Sequence, residues 1–354
     1  MSRLEDHYET VRERNGYDRV SGIDALAGLE RRFVAVDDPA GCLADAARPA
    51  AADATLVTTG VGMTGPPHLG TVGQILTAVE LQRAGLDVQF VLADLEPYHD
   101  GADLDRVRAL AERYRAFVRE LGFDPDRGRL RTQEEARDVM HTAQVLAPYY
   151  RPESWDGAPE CEPTAWERAV ADAYDDADRQ AWRSAGPTSE AADTHSALLH
   201  AADFLHPLRV GEYDRLVLTF GVDEYGLTRM TREFLATAPV EGRVAGLYTR
   251  MLPGFDGGPK MAKSIPGAGV SLADDPDGIR ERIRVSGASA GAVDTDESAA
   301  DAVFQAMCLA SRYDAARLDG IEAARAAGTE AWTAAVADYA EFVADLAERW
   351  QATA

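Results

Sequence analysis

The chain has 354 residues and a formal net charge of −24, from 60 acidic and 36 basic side chains. This length suits one catalytic domain and a smaller second one, with a core that needs no disulfides. Three scattered cysteines, Cys42, Cys161 and Cys308, indicate thiols in a reducing compartment. The charged N-terminus and the short apolar runs disfavour a signal peptide and a membrane span. We therefore expect a soluble, cytoplasmic protein.

The acidic residues are dispersed along the whole chain, and lysine is almost absent. A charge of this sign is not what a basic, nucleic-acid-binding surface would produce. It is typical of adaptation to a salt-rich cytoplasm, where ions screen the self-repulsion of the protein. A partner with a basic surface is the alternative explanation.

Residues 1–54 carry Leu26, Leu29, Phe33 and Val34 amid charged residues. This pattern predicts short helices or a cover over the core, and it contains no motif that suggests chemistry.

The next stretch predicts a strand, a turn and a helix. Residues 56–59 are apolar and β-branched, and apolar residues recur at helical spacing over 72–84. The turn between them, 60–71, is rich in glycine and proline and carries His68. Helix N-termini bind anions through unpaired N–H groups, so His68 could donate to a phosphate oxygen there. A plain turn with a surface histidine is the alternative.

Residues 88–92 predict a buried strand that ends at Asp94. A carboxylate at the C-terminal end of a parallel strand lies in the crevice where ligands bind, although Asp94 could equally cap the next helix. A helix over 104–121, a strand over 128–132 and a helix over 134–146 follow. This alternation predicts a parallel α/β sheet.

Residues 149–194 interrupt the alternation with aromatic residues among proline and acid: Tyr149, Tyr150, Trp155, Trp166 and Trp182. Aromatic enrichment fits the core of a subunit interface. A helical hairpin that packs on its own domain is the alternative.

Two further aspartates are candidate ligands. Asp203 lies in the apolar helix predicted over 198–205, where it could accept a hydrogen bond from an indole N–H or a phenol O–H; a surface aspartate is the alternative. A strand over 216–220 then leads into Gly221 and Asp223. A glycine and a carboxylate at this place can bind ribose hydroxyls, unless the acid only caps a helix.

Lys260 and Lys263 are the only lysines in the chain, and they lie in a loop flanked by glycine and proline. Lysine is a compact, flexible point charge that suits phosphate, so the spacing predicts a mobile clamp on a polyanion. Two chance lysines in a solvent-facing loop are the alternative. From residue 298 the chain is alanine-rich and predicted helical. The expected buried positions there are Leu318, Ile321, Trp332, Tyr339, Phe342 and Leu346.

The stretches 68–71 (His-Leu-Gly-Thr) and 260–264 (Lys-Met-Ala-Lys-Ser) together resemble the HIGH-type and KMSKS-type motifs of class I aminoacyl-tRNA synthetases. Thr71 replaces the second histidine, and Ala262 replaces a serine. Residues 198–205 are similar to the Ala-Ala-Asp helix of the tryptophanyl enzymes. The resemblance covers about 55–285 and is closest to the tryptophanyl branch of the tryptophanyl/tyrosyl subclass.

Two other elements carry the same resemblance. Residues 93–98 resemble a second-strand motif of archaeal-type tyrosyl enzymes, with Glu96 in place of histidine. Residues 221–224 look like the Gly-x-Asp-Gln element of the subclass, with Glu224 in place of glutamine.

The resemblance implies a Rossmann-type parallel sheet in a catalytic domain over 55–285, with a helical insertion at about 149–194. An N-terminal helical extension (1–54) and a C-terminal α-helical domain (286–354) would flank it. The implied activity is ATP-dependent activation of an aromatic amino acid, tryptophan favoured and then tyrosine, and its transfer to tRNA. ATP, Mg²⁺, the amino acid and tRNA would be bound by a homodimer.

The resemblance also assigns residues to three sets, with no metal ligand among them. The catalytic set is His68, Thr71, Lys260, Lys263 and Ser264. The ATP-binding set is Gly60, Gly70, Gly221, Asp223 and Met261. The amino-acid-binding set is Thr58, Asp94, His200, Asp203 and Glu224.

Three positions depart from the residues that line the family's amino-acid pocket: Thr58, Ser196 and His200. They keep open a paralogue that passes its aminoacyl group to a non-tRNA acceptor, which the short, acidic C-terminal domain favours. A non-catalytic binding protein is a third possibility. The retained Lys260, Lys263 and His68 argue against it.

Overall fold

The centre of the protein, described here by a computed structural model, is a six-stranded sheet. The structure describes residues 3–43, 55–151, 162–176 (with no side-chain description for 174–176), 188–262, 269–288 and 299–353. The strands are β1 (Phe33–Asp37), β2 (Thr55–Gly62), β3 (Asp87–Ala93), β4 (Gly128–Thr132), β5 (Arg215–Gly221) and β6 (Arg243–Thr249). Their order is β1-β6-β5-β2-β3-β4, and β1 alone is antiparallel to its neighbour. The predicted parallel α/β sheet is confirmed.

Helices cover both faces of this sheet. In the described residues they are α1 (Arg3–Asn15), α2 (Leu69–Arg83), α3 (Leu95–His99), α4 (Leu104–Glu120), α5 (Arg137–Leu146), α6 (Ala165–Asp176), α7 (Glu190–Arg209), α8 (Gly226–Thr237), α9 (Pro276–Ala288), α10 (Ala299–Leu309), α11 (Ala315–Ala327) and α12 (Glu330–Ala352). None of the described helices is long and apolar enough to cross a membrane.

The order of the parallel strands determines where a ligand can bind. Strands β4-β3-β2 are wound in one direction from the centre and β5-β6 in the other. The chain therefore reverses direction between β2 and β5, which pair from Thr55 to Thr58. In such sheets the loops after the two central strands diverge and leave a crevice at their carboxyl ends.

The N-terminal segment is not purely helical, contrary to the prediction for residues 1–54. Its strand β1 adds an antiparallel edge to β6, with Phe33 opposite Thr249 and Asp37 opposite Gly246. All five residues of β1 are buried. A short, continuous apolar run does not distinguish a buried strand from a buried helix, and the tertiary partner β6 decided the outcome.

The C-terminal helices pack as the apolar spacing predicts. Leu318, Ile321, Trp332, Tyr339 and Leu346 are buried, and Phe342 packs against the same core. Helix α9 packs tightly on α12: a side chain at Gly287 would meet Val336, and the Trp332 indole donates to the Gly287 carbonyl at 2.9 Å.

The interrupting segment contributes helix α6, whose Trp166 is buried against α1 of the same chain. Tyr149 and Tyr150 pack at the edge of a second core cluster under the sheet. Trp155 and Trp182 lie outside the described residues. The described part of the segment therefore packs on its own chain.

Candidate active site

A cavity of about 340 Å³, here called the larger cavity, opens at the carboxyl ends of β2 and β5. Its walls come from the turn after β2, the turn after β5, the segment after β6, and Leu309 at the end of α10. The lining includes most of the predicted catalytic and nucleotide-binding residues: Gly60, His68, Gly70, Thr71, Gly221, Asp223, Lys260 and Met261. Residues nearly 200 positions apart in sequence therefore meet at one site.

The turn after β2 presents the N-terminus of α2 to the larger cavity. His68 is the N-cap residue, and its Nδ1 accepts a hydrogen bond of 2.9 Å from the Gly70 N–H. A side chain at Gly70 would collide with the His68 ring, so glycine is required for this cap. Gly70 and Thr71 of the first helical turn line the cavity, and the N-terminus of a helix suits an anion.

Asp223 and Lys260 form an ion pair across the larger cavity. The Lys260 Nζ lies 2.6 Å from an Asp223 carboxylate oxygen. A side chain at Gly221 would meet both Asp223 and Met251, so this turn brings the backbone close to the carboxylate. The predicted phosphate-binding cation and the predicted ribose-binding anion thus contact one another.

A backbone hydrogen bond orders the lysine-bearing segment (residues 250–262), and the chain after it, at residues 271–272, is bonded to the turn after β2. The Met261 N–H donates to the Leu252 carbonyl at 2.6 Å, and the Leu272 N–H donates to the Pro67 carbonyl at 2.8 Å. His68 and Ser271 also form an isolated antiparallel bridge. The first motif is therefore bonded to the chain that follows the second motif. Lys263 and Ser264, two predicted catalytic residues, lie outside the described residues.

A smaller cavity of about 120 Å³ adjoins the larger one and extends beneath the sheet end. Four residues line both cavities: Gly60, Val61, Gly62 and Glu224. A side chain at Gly60 would collide with the Val91 carbonyl, so glycine is required where the two cavities meet. Two connected cavities of unequal size can hold a nucleotide and a small second substrate in contact with each other.

Asp203 lies at the inner end of the smaller cavity and is only 3% exposed. One carboxylate oxygen lies 2.7 Å from the Arg131 guanidinium, in ion-pair contact but without hydrogen-bond geometry. The other oxygen accepts a 2.8 Å hydrogen bond from Gln133. The sequence predicts a substrate donor for this acid, and the structure already supplies two protein partners.

Glu96 and His200 also line the smaller cavity. The His200 Nδ1 lies 3.7 Å from the Glu96 carboxylate, and Gln133 donates to that carboxylate at 2.7 Å. The ring of His200 meets Phe204 edge to face, with centroids 4.7 Å apart. Burial raises the pKa of Glu96, and the nearby His200 opposes the increase.

Glu224 stands at the junction of the two cavities. Water reaches its carboxylate through the cavities, yet the surrounding protein and then Asp223 raise the pKa of Glu224 to about 7. Lys260 and His200 act in the opposite direction. The pKa of Glu224 is therefore raised above that of an ordinary glutamate.

Two predicted amino-acid-binding residues do not line either cavity. Thr58 is fully buried, and its hydroxyl accepts a 3.0 Å hydrogen bond from Gln89, which also donates to the Asp203 carbonyl. Asp94 accepts hydrogen bonds from the backbone of Gln133 and Glu134 at 2.9 and 3.1 Å. Both residues bond to protein groups next to the smaller cavity, and this geometry does not favour direct contact of either with a substrate.

Several polar residues in or next to the site were absent from the predicted sets, among them Gln74, Glu96, Arg131 and Gln133. Gln74 lines the larger cavity and donates to Thr59 and to the Thr219 carbonyl, which joins β2 to β5. Arg131 and Gln133 come from the end of β4, two strands away from the crevice. Polar residues at the carboxyl end of a third parallel strand are a signal that could have identified them.

The protein offers no cluster of three metal-ligating side chains within its described residues. Asp223 and Glu224 are the carboxylates of the larger cavity, and one of them is engaged by Lys260. These residues do not fit a resident Mg²⁺ site. A divalent ion that reached the cavity would have to arrive on a ligand's own oxygens.

Known proteins resemble this chain in sequence and in fold. Residues 51–152 and 194–295 match the family described as tRNA synthetases class I (W and Y). A tryptophan–tRNA ligase of Methanopyrus kandleri is 30% identical over 235 residues, which cover 64% of this chain and 55% of the relative. A tryptophan–tRNA ligase 2 of Halobacterium salinarum is 29% identical over 287 residues, which cover 77% and 67%. The chain thus spans about half the length of the first relative.

The crystal structure of the tryptophanyl-tRNA synthetase of Aeropyrum pernix superposes with a TM-score of 0.72 at 19% identity and covers 98% of this chain and 94% of that one. At this identity the likeness shows the fold alone. The family match covers more than half of the sequence and includes the turn after β2, the turn after β5 and the lysine-bearing segment. The chain belongs to the class I tRNA synthetases of the tryptophan and tyrosine group.

Proposed function

We propose that this protein uses ATP to activate an aromatic amino acid as its aminoacyl-adenylate and then transfers the aminoacyl group to tRNA. The observation that carries the proposal is the junction at Gly60 and Glu224, where the larger and the smaller cavity meet. An amino acid in the smaller cavity would direct its carboxylate toward the α-phosphate of a nucleotide in the larger one.

The first reaction step follows from this placement. A carboxylate oxygen attacks the α-phosphorus, the bond from that phosphorus to the bridging oxygen breaks, and pyrophosphate leaves with the electron pair. No proton transfer and no enzyme nucleophile are needed. The His68 turn and Lys260 would stabilise the charge on the phosphates, and Asp223 would accept hydrogen bonds from the ribose. By sequence we assign the same role as Lys260 to Lys263, assisted by Ser264.

Transfer completes the cycle. A terminal hydroxyl of tRNA attacks the carbonyl carbon of the adenylate, and AMP leaves. Mg²⁺ would enter with ATP, bound to its phosphate oxygens, and would share the neutralisation of their charge.

The finer assignments rest on the relatives. Two of them are named tryptophan–tRNA ligases and a third, from Haloarcula marismortui, a tyrosine–tRNA ligase, so we favour tryptophan and then tyrosine. Two come from halophiles, and a net charge of −24 supports a salt-adapted source. A homodimer in the cytoplasm follows from the family resemblance.

The decisive experiment is ATP–pyrophosphate exchange at high salt with each standard amino acid in turn. Exchange with tryptophan or tyrosine alone supports the proposal, and subsequent charging of tRNA identifies the acceptor. Exchange without charging favours the paralogue with another acceptor. His200 and Glu224 in the walls of the smaller cavity are the observation that keeps this second candidate open. Exchange with no amino acid, in a folded protein, overturns the proposal.

Replacement of the cavity lysine separates binding from catalysis. Lys260→Ala, and Lys263→Ala by the same argument, should lower the rate of adenylate formation about 100-fold, because a cation on the leaving pyrophosphate acts mainly in the transition state. The KM for ATP should change far less. Arg127→Ala, at an exposed turn, is the control. Equal losses in rate and in ATP binding would reduce the lysines to ground-state binders.

A further inference from the structure

The lysine-bearing segment is tied to a tryptophan from the interrupting segment. The Trp166 Nε1–H on α6 donates a 2.9 Å hydrogen bond to the carbonyl of Pro259, the residue immediately before Lys260. Trp166 is only 2% exposed, so water does not compete for this bond. A rigid indole thus holds the backbone one residue away from the cavity cation.

The orientation of that indole is itself constrained by α1. The Trp166 ring stacks on His7 with centroids 4.4 Å apart and an interplanar angle of 28°. The His7 Nδ1 lies 3.0 Å from the Thr164 hydroxyl, and His7 is 1% exposed. A stacked, buried ring pair has few alternative rotamers, so the position of the indole N–H is well defined.

The same apolar cluster supports two more parts of the larger cavity. It contains Val222, which lies between Gly221 and Asp223 in the chain, and Met251, which lines the cavity. The Met251 N–H donates to the Tyr8 hydroxyl at 2.8 Å. Helices α1 and α6 therefore contact the turn after β5, the segment after β6 and the backbone before Lys260.

We propose that Trp166 is a positioning residue for Lys260, and that α1 and α6 together form a buttress for the lysine side of the larger cavity. The inference rests on the proposed adenylation function. Catalysis by positioned charge is sensitive to displacements of about 1 Å, and one well-placed backbone hydrogen bond suffices to restrict such movement. Trp166 itself touches no substrate.

The test is Trp166→Phe, which keeps a stacked aromatic ring and removes only the indole donor. Adenylate formation should fall about five- to tenfold in kcat, with the amino-acid KM nearly unchanged. Trp332→Phe is the matched control, because its indole also donates to a backbone carbonyl at 2.9 Å, far from the cavity. Equal kinetics for the two variants, at matched losses of thermal stability, would overturn the inference.

A second readout does not depend on activity. Lys260 and Lys263 are the only lysines in the chain, so a lysine-specific endoproteinase cuts nowhere else. Trp166→Phe should raise the cutting rate several-fold over both the wild type and Trp332→Phe, since the backbone before Lys260 is released. An unchanged rate contradicts the buttress. If the wild type shows no exchange with any amino acid, the proposed function fails, and the cutting rates still decide this inference.

Tyr8→Phe provides an independent check within the same buttress, because it removes the acceptor of the Met251 N–H and leaves Trp166 intact. We expect a smaller loss of kcat in the same direction. A loss of thermal stability with unchanged kinetics in both Trp166→Phe and Tyr8→Phe would assign α1 and α6 a purely structural role.

Discussion

Asp203 illustrates how a residue predicted for substrate binding acquires a second task. The acid is buried and contacts Arg131 and Gln133, which both come from the end of β4. A buried carboxylate without such partners would be destabilising, so the pair also holds β4 and α7 together.

Asp203→Asn should therefore lower the free energy of unfolding by about 2–4 kcal/mol, since it leaves the Arg131 charge without its counterion. Urea denaturation measures the change. Glu134→Gln breaks an exposed pair with Arg108 and should cost less than about 1 kcal/mol. Equal stability of the two variants would show that Asp203 is not needed for the fold. If only the KM for the amino acid changes, Asp203 acts in substrate binding alone.

Glu224 should make stability depend on pH. Its pKa is raised to about 7 from an ordinary value of 4.5, chiefly by burial and then by Asp223. Between these values the folded state binds the proton more tightly than the unfolded state does, so this contribution to stability is lost as the pH rises through about 7.

The expected outcome is that Glu224→Gln flattens the decline in stability from pH 5 to pH 8, and unfolding by urea at several pH values measures it. The difference between wild type and variant is the informative quantity, because burial also raises the pKa of Asp37 and Asp94. Glu233→Gln, an exposed acid on α8, is the control and should retain the wild-type profile. Identical profiles for Glu224→Gln and wild type would contradict the assignment.

At the scale of elements, Arg32 connects the N-terminal segment to the C-terminal helices. Its guanidinium donates to the carbonyl of Leu309, the last residue of α10, and to that of Ser311. Leu309 lines the larger cavity and packs on Gly73 of α2. The end of α10 is thereby satisfied by a distant residue rather than by solvent.

Arg32→Met should destabilise the protein by about 2–5 kcal/mol, because two buried carbonyls at the end of α10 lose their donors. Thermal or urea unfolding measures the loss. Arg14→Met removes an exposed arginine from α1 and should change stability by less than about 0.5 kcal/mol. If both variants have the same free energy of unfolding, solvent replaces the Arg32 donors and the connection does not stabilise the protein.

The elements themselves were predictable where local pattern and tertiary environment agree. Strands β2 to β5 lie where the sequence predicts them, and β4 was placed to the residue. Strand β1 was missed, because its four apolar residues and Asp37 become a strand only by pairing with β6. The contact of Trp166 with α1 was also beyond prediction, since it joins residues about 160 positions apart.

At the scale of the whole molecule, the chain carries 60 acidic and 36 basic side chains. Exposed charges of one sign repel each other over roughly 10 Å at low salt, and the repulsion is reduced when the compact state unfolds. Ion pairs such as Arg280 with Glu341 offset only part of this, because exposed pairs contribute little each.

Raising KCl from about 0.1 M to about 2 M should therefore increase the melting temperature by roughly 5–10 °C. Calorimetry or circular dichroism measures the shift. A neutral osmolyte at the same water activity is the control, since it does not screen charge. A melting temperature that is independent of KCl would favour the alternative explanation, a partner with a basic surface.

The sequence by itself determined the parallel strands, the two motifs and the restriction of lysine to one segment, because these depend on local periodicity, turn chemistry and residue choice. The family resemblance of its motifs also identified the eight residues predicted for catalysis or nucleotide binding that line the larger cavity, but not Gln74, whose contacts depend on the pairing of β2 with β5. Only the tertiary structure decided which polar groups meet across strands: Arg131 and Gln133 with Asp203, Lys260 with Asp223, and Trp166 with Pro259. Such contacts join residues far apart in the chain, and their partners are chosen by packing rather than by sequence neighbours.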